Sequence, residues 1–282
     1  MTISFHSEDN QIVPTANALE SRLRIFQATQ RPKFIRNQKI ETPWGEVTIT
    51  GRIGQRHCDL SEFIRVCAER KREWGGKLWL LVDPYKLRQK MGKYYSHEQI
   101  KILIKDLTEA SVQIETENEH WTFGHLIDYV IESTVERANP LAFPGGKRKL
   151  WAVEVGIPGR KLLFEGIKLF YDPVPIARLK SGMSQAIARH VLGHTTKPNG
   201  GWKLDSLLEA VAGKMTGKRL SDARCAVRED SEGLLEIGIE VKEGRINLLN
   251  ENGFIGQGPV SDIFGAGLVL VAVGFVLRVF SS

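Results

Sequence analysis

The order of secondary-structure elements constrains the fold of this chain most, because the same order is predicted twice along its length. In each half, a helical pattern of apolar residues precedes a short strand, a short helix and a longer helix, and two β segments follow them. The repetition is one of pattern and not of residue identity, so it does not indicate a short-period array. The sequence therefore predicts two tandem units with the same architecture.

The first half carries helix-start signals at two places. Asp83-Pro84 combines a capping residue with proline at the first helical position, and Ser96 and Gln99 have the spacing of a capping box. We predict a helix over 59–72 that ends at Gly75-Gly76, strand 78–82, a short helix from Pro84 to Gly92, a helix over 96–110, and strands 112–115, 122–131 and 149–155.

The second half ends in a hairpin signal. Glu243-Gly244 is a two-residue turn between β-rich segments, which is typical of a tight hairpin. A helix-turn-helix backed by such a hairpin is a winged helix, so we predict an α+β fold with two tandem winged-helix domains. The predicted segments are helix 183–192, strand 202–204, helix 207–212 capped by Asp205 or Ser206, helix 219–227, and strands 234–241 and 245–249.

Glycine and proline divide the chain into regions. Residues 139–148 and 156–160 are rich in both and predict a linker. We expect a polar, flexible N-terminal arm at 1–17, a first domain at 18–156, a second domain at 157–250 and a hydrophobic C-terminal tail at 251–282. The apolar run at 263–277 is short for a membrane span and could instead be a buried element or a foreign appendage, so a membrane contact would be possible only through this tail.

Signals for an enzyme or a metal site are weak. The three cysteines show no C-x-x-C spacing, and Gly145-Gly146-Lys147 lacks the other residues of a phosphate loop. His190 and His194 have the spacing of two zinc ligands on one helix, but Val191 stands where a zinc protease has glutamate. We therefore expect no catalytic activity, no metal and no cofactor. The absence of a secretory signal near Met1 favours a cytoplasmic protein.

Positive charge is concentrated in one segment of the second half. The chain has a net charge of +6, and the segment 214–228 contains five basic residues and, up to Arg228, the single acid Asp222. Charge alone would also suit a solvated helix face, but the position between a turn and a hairpin favours a DNA-recognition helix. We expect base contacts from Lys218, Arg219, Ser221, Asp222 and Arg224, and further DNA contacts, mainly to phosphates, from Lys214, Thr216, Arg228, Lys242 and Arg245.

The corresponding helix of the first half is near neutral, and the segment after it is acidic. This composition makes a poor DNA face, so we expect a protein–protein role such as dimerisation there. The basic residues that precede it could still contact a phosphate backbone; they are Arg31, Lys33, Arg36 and Lys39.

In layout the chain resembles plasmid replication initiators of the TrfA type, which are relatives of the RepE/RepA initiators. Segments 20–26, 46–51 and 87–107 are similar to the first domain of that family, and 171–194, 203–213, 218–227 and 236–249 to the second. The resemblance implies sequence-specific binding to repeated origin sites (iterons), local duplex opening and loading of the host helicase.

The same resemblance implies exchange between monomer and dimer, contacts with host initiator proteins, a part in plasmid copy control, and a first domain that dimerises and adds accessory DNA contacts. It implies no cofactor. Three other functions stay open: a winged-helix transcriptional regulator or autorepressor, a protein-interaction module that binds no DNA, and a membrane-tethered regulator.

Overall fold

A computed structural model of the chain has mixed α+β architecture. It describes residues 5, 13–92, 95–116, 119–139, 146–165, 167–194 and 196–249, with the backbone alone for 119 and 120. Among these residues no helix is both long and apolar enough to cross a membrane. The apolar run at 263–277 lies outside the described residues.

The first half contains two antiparallel four-stranded sheets. Their strand orders are β2-β3-β6-β7 and β4-β5-β9-β8. The elements are β1 (Ala16–Asn17), α1 (Ala18–Arg22), β2 (Ile35–Thr42), β3 (Gly45–Gly51), α2 (Gln55–Val66), β4 (Ala68–Trp74), β5 (Lys77–Val82), α3 (Pro84–Met91), α4 (His97–Glu109), β6 (Ser111–Thr116), β7 (Glu119–His125), β8 (Ile127–Ala138), β9 (Lys147–Val155) and α5 (Ile157–Phe164).

The second half is smaller and more helical. Its one three-stranded sheet among the described residues has the order β11-β13-β12. The elements are β10 (Lys168–Leu169), α6 (Val174–Arg178), α7 (Gly182–Leu192), β11 (Trp202–Lys203), α8 (Leu204–Ala212), α9 (Gly217–Glu229), α10 (Ser231–Glu236), β12 (Ile239–Lys242) and β13 (Arg245–Leu248).

Each half has its own apolar core. The first core takes residues from both four-stranded sheets and from α2 and α4, and successive residues of β5 point to opposite sides of the sheet: Leu80 joins this core, whereas Leu81 joins a small cluster with Phe5. The second core is formed by α7, α8, α9 and the three-stranded sheet.

The two halves exchange segments near the predicted boundary. β1 pairs with β10, and Ala16 and Ala18 belong to the second core. In the other direction, α5 places Leu162 and Leu163 in the first core. Residues 156–160 are therefore the start of a helix and not a linker, and the predicted boundary at 156/157 precedes a helix that packs with the first half.

The helix predicted over 59–72 was wrong at both ends. α2 begins after Gly54, and residues 68–74 form strand β4. Strand β4 pairs with β5, with Arg70 opposite Leu81 and Arg72 opposite Trp79. Gly75 and Gly76 form the turn between the two strands with φ of 58° and 74°. Asp59, where the predicted helix starts, lies inside α2 and is buried.

Two predicted strands were also wrong. The segment predicted as strand 234–241 begins as helix α10 and becomes strand β12 only at Ile239. The segment 122–131 is divided at Leu126 between β7 and β8, which belong to different sheets. Apolar runs of this length do not distinguish a buried helix end from a strand, nor a continuous strand from a corner.

Several local signals were confirmed. Asp83 caps α3 through its side chain, with Pro84 at the first helical position. Ser96 and Gln99 form a reciprocal capping box at the start of α4. These signals succeed because they depend on a few adjacent residues.

A buried cluster of charges joins the two halves. Arg189 on α7 donates to both carboxylate oxygens of Glu62 at 2.8 and 2.7 Å, to Asp59 at 2.6 Å and to the Gln55 side chain at 2.8 Å, all of them on α2. Burial opposes the charge of Arg189, but the surrounding acidic groups overcome it and raise the pKa of the guanidinium. We call these four residues the Arg189 cluster.

Two tyrosines complete the hydrogen bonding of the Arg189 cluster. Tyr171 donates to Glu62 at 2.5 Å, and Tyr95 donates to Asp59 at 2.9 Å. Burial and the charge of Glu62 raise the pKa of Tyr171, so its hydroxyl stays a donor. The donors satisfy the two carboxylates, which is the condition under which buried charges are tolerated.

The histidine pair is a packing element at the junction of the halves. His190 and His194 lie near Trp44 of the β2–β3 turn, and His194 also lies near Trp202 of β11. His194 Nδ1 lies 2.7 Å from the carbonyl oxygen of His190. No group of three metal-ligating side chains occurs in the part of the chain that the structure describes.

The Arg189 cluster predicts a large effect of a single substitution. Arg189→Met should lower the free energy of unfolding by about 3–5 kcal/mol, because two carboxylates would stay buried without their cation. Urea denaturation measures this loss. Arg178→Met is the matched control, since Arg178 is exposed, and it should change stability by less than about 0.5 kcal/mol. A loss below about 1 kcal/mol for Arg189→Met would contradict the role given to the cluster.

The buried His190 should make the folded state less stable in acid. Burial, and then the charges of His194 and Arg22, lower the pKa of His190 to about 4, so the folded state holds it neutral. The unfolded chain therefore binds the extra proton first, and stability should fall as the pH drops from about 6.5 to 4, by roughly 3 kcal/mol from this group. Urea titrations at a series of pH values test this. His190→Gln should flatten that part of the profile, and an unchanged profile would refute the assignment.

Candidate nucleic-acid interface

Helix α9 lies on the second core with a narrow apolar side. Ala223 and Val227 are buried, and Leu220 and Ala226 are half-buried. Gly213 ends α8 with φ of 79°, and α9 begins at Gly217 after the four connecting residues 213–216. The short connection keeps α8 and α9 in contact and turns the rest of α9 toward solvent.

The structure places most of the predicted DNA-contacting residues on the solvent side. All are exposed except Arg224, which is half-buried. The exposed residues are Lys214, Thr216, Lys218, Arg219, Ser221, Asp222 and Arg228 on or before α9, and Lys242 and Arg245 on the hairpin.

Arg224 has a partner inside the protein. Its guanidinium donates two parallel hydrogen bonds to Asp205 of α8, at 2.7 and 2.5 Å. The hydrogen bonds from Arg224 hold the pKa of Asp205 below its ordinary value. Asp205, predicted as a possible helix cap, does not cap α8: Lys203 occupies the cap position and makes no side-chain capping bond, and Ser206 lies inside the helix. Arg224 therefore links α9 to α8 through a bidentate ion pair.

The hairpin β12–β13 turns as predicted. Glu243 and Gly244 have φ of 50° and 72°, so both turn residues adopt the left-handed conformation of a tight two-residue turn. The carbonyl of Gly244 accepts a hydrogen bond from the backbone N–H of Leu204 at 2.9 Å. The turn is thus attached to the start of α8.

A row of three cations crosses the three-stranded sheet. Lys242 of β12 lies opposite Arg245 of β13, and Arg245 lies opposite Lys203 of β11. All three are exposed. Arg245 donates to the carbonyls of Gly200 and Gly201 at 2.9 and 3.3 Å, and the two lysines have no ion-pair partner among the described residues. We call Lys203, Arg245 and Lys242 the basic row.

Sequence reasoning missed Lys203. The sequence predicts Lys203 only as part of a short strand, because its neighbours in space, Arg245 and Lys242, are more than thirty residues away along the chain. Strand pairing could have revealed it, because residues that face each other across antiparallel strands share one side of the sheet. The basic row is connected to α9 through α8. Lys203 is the cap residue of α8, and Asp205 in the first turn of α8 binds Arg224 of α9.

The first half offers a less basic surface. On α4, Lys101 pairs with Glu98 at 3.2 Å and Lys105 with Glu109 at 3.7 Å, which confirms the near-neutral character expected of this helix. On β2, Lys39 forms an ion pair with Glu46 of β3 at 2.6 Å. Arg31, Lys33 and Arg36 are exposed.

Comparison with known proteins gave one structural likeness. No protein-family model and no curated protein matches the sequence. Among solved structures, the chain is similar to the crystal structure of selenomethionine derivatives of domain 2 and domain 3 of RctB. The likeness covers 83% of this chain and 96% of that chain, at 13% sequence identity and a TM-score of 0.45.

Proposed function

We propose that this chain binds double-stranded DNA in a sequence-dependent way through a winged helix formed by residues 182–248, with α9 as the recognition helix. The observation that carries the proposal is the basic row of exposed cations, whose strand β11 leads directly into α8, the helix bonded to α9 through Asp205 and Arg224. The element order α7, β11, α8, α9, β12, β13 and the sheet order β11-β13-β12 support the winged-helix assignment.

The basic row favours an anionic partner on energetic grounds. Like charges that face each other across strands destabilise a sheet, so three adjacent cations are unfavourable in the free protein. Phosphate groups would relieve this repulsion and release their condensed counterions. The row lies in a sheet whose hairpin turn contacts the start of α8, so phosphates bound there would hold a duplex beside α9.

The exposed side of α9 supports base contacts. Arg219 is exposed in the first turns of the helix, where recognition helices approach base edges, and has no ion-pair partner among the described residues. Its guanidinium can form two parallel hydrogen bonds with guanine. We assign Arg224 a different part: its bonds with Asp205 position α9, so its loss would act through the helix.

For the biological role we propose initiation of plasmid replication at origin repeats. The support is the resemblance in layout to TrfA-type initiators, which use two tandem winged helices. A transcriptional regulator or autorepressor is the alternative, because the same surface would serve an operator. Gel shifts on the DNA that flanks the coding region separate the two: binding to tandem repeats favours replication, and binding to a promoter site alone favours regulation.

Arg219 tests the recognition helix. Arg219→Ala should weaken binding to the specific site by about 1–3 kcal/mol and leave binding to random duplex nearly unchanged, because one base contact is lost. Fluorescence anisotropy with specific and random duplexes at one salt concentration measures both. Arg178→Ala removes an exposed arginine of the same half outside this surface and is the control. An unchanged ratio of specific to random affinity would refute the role of α9.

The basic row predicts a change in salt dependence. Lys203→Gln with Lys242→Gln should reduce the slope of log affinity against log salt by about 2, because roughly one counterion is released per phosphate contact. Discrimination between specific and random duplex should persist. The matched control is Lys197→Gln with Lys180→Gln, two exposed lysines of the same half. An equal loss of slope in the control would show that only net charge matters.

A further inference from the structure

A second surface, in the first half, has the features of a peptide-binding groove. It measures about 290 Å³ and lies between the loop at 30–32, the start of α2 and the N-terminal half of α4. Three arginines line it: Arg31, Arg52 and Arg56. None of the three has an ion-pair partner among the residues that the structure describes.

The apolar surface of the groove comes from Ile102 of α4, which is 58% exposed at its edge. Leu103 and Tyr95 also line the groove but are buried in the first core. The guanidinium of Arg56 lies 5.8 Å from the centre of the Tyr95 ring. Asp106 is the one acid among the lining residues and lies 3.2 Å from His57, so the three arginines outnumber the acidic groups of the groove.

We propose that this groove binds an acidic, amphipathic segment of a partner protein, with carboxylates on Arg52 and Arg56 and an apolar side chain on Ile102. The arginines provide charge complementarity to carboxylates, which Arg can bind with two parallel hydrogen bonds. The exposed Ile102 of α4 gives the apolar face of such a segment a contact in the groove. This binding is separate from DNA binding by the second half.

The composition of the groove favours a peptide over nucleic acid. A phosphate backbone would leave exposed Ile102 without an apolar partner. An acidic peptide with apolar side chains can contact the three arginines and Ile102 at the same time.

His57 provides a reporter at the base of the groove. Burial lowers the pKa of His57, and the positive charge of Arg52 lowers it further, whereas Asp106 opposes both. A carboxylate bound to Arg52 would cancel part of its charge. The pKa of His57 should therefore rise when the groove is occupied.

The test uses the full chain and a fluorescein-labelled amphipathic helical peptide of leucine and glutamate. Anisotropy should show saturable binding, and Arg52→Gln with Arg56→Gln should weaken it at least about tenfold. Ile102→Asp should weaken it as well. Lys33→Gln with Arg36→Gln, which removes two exposed cations outside the groove, should change the affinity by less than about twofold. An NMR titration of the His57 ring should give a higher pKa with peptide than without it.

Four results would overturn the proposal. They are no binding of the glutamate peptide to the unaltered chain, equal binding of a peptide with glutamine in place of glutamate, an equal loss in the Lys33/Arg36 control, and an unchanged pKa of His57 on saturation. Displacement of the peptide by short duplex DNA, with the groove variants losing duplex affinity to the same degree, would assign the groove to nucleic acid instead. Circular dichroism verifies that each variant folds.

Discussion

The guanidinium of Arg189, buried between two carboxylates of α2, is the interaction on which the arrangement of the two halves depends. A cation and two acids at such a depth are stable only with nearly ideal partners, and Tyr171, Tyr95 and Gln55 provide the remaining hydrogen bonds. Since α2 lies in the first half and α7 in the second, satisfaction of these charges requires one relative position of the two helices. The two halves also exchange apolar segments, with Ala16 in the second core and Leu162 in the first, and this exchange likewise fixes their relative position.

This constraint leaves two surfaces of different chemistry on one molecule. The second half has cations that face solvent along α9 and across the basic row, with Arg224 bound internally to Asp205. The first half has three arginines around a groove that is edged by exposed Ile102 of the near-neutral helix α4. The first surface suits a long polyanion, because its cations are spread over a convex helix and a hairpin. The second suits a short segment that combines carboxylates with apolar side chains.

Prediction from the sequence succeeded where the determining contacts are local. The caps at Asp83 and Ser96, the end of α8 at Gly213 and the turn at Glu243-Gly244 depend on a few adjacent residues. It failed where a distant strand decides the conformation: residues 68–74 became a strand because β5 pairs with them. Of the candidate interface, the exposed side of α9 could be predicted from charge and spacing. The ion pair between Arg224 and Asp205 could not, since their partnership depends on how α8 and α9 pack.

The sequence by itself determined the starts of α3 and α4, the tight turn at Glu243-Gly244 and the cationic segment 214–228, because these follow from capping chemistry, glycine conformation and charge along the chain. Only the tertiary structure decided which cations are free. It paired Arg224, Lys39 and Arg189 with carboxylates from other elements, and it brought Lys203 beside Arg245 and Lys242. The physical reason is that the charge of a residue is a property of its side chain, whereas its availability to a partner depends on neighbours that are distant in sequence.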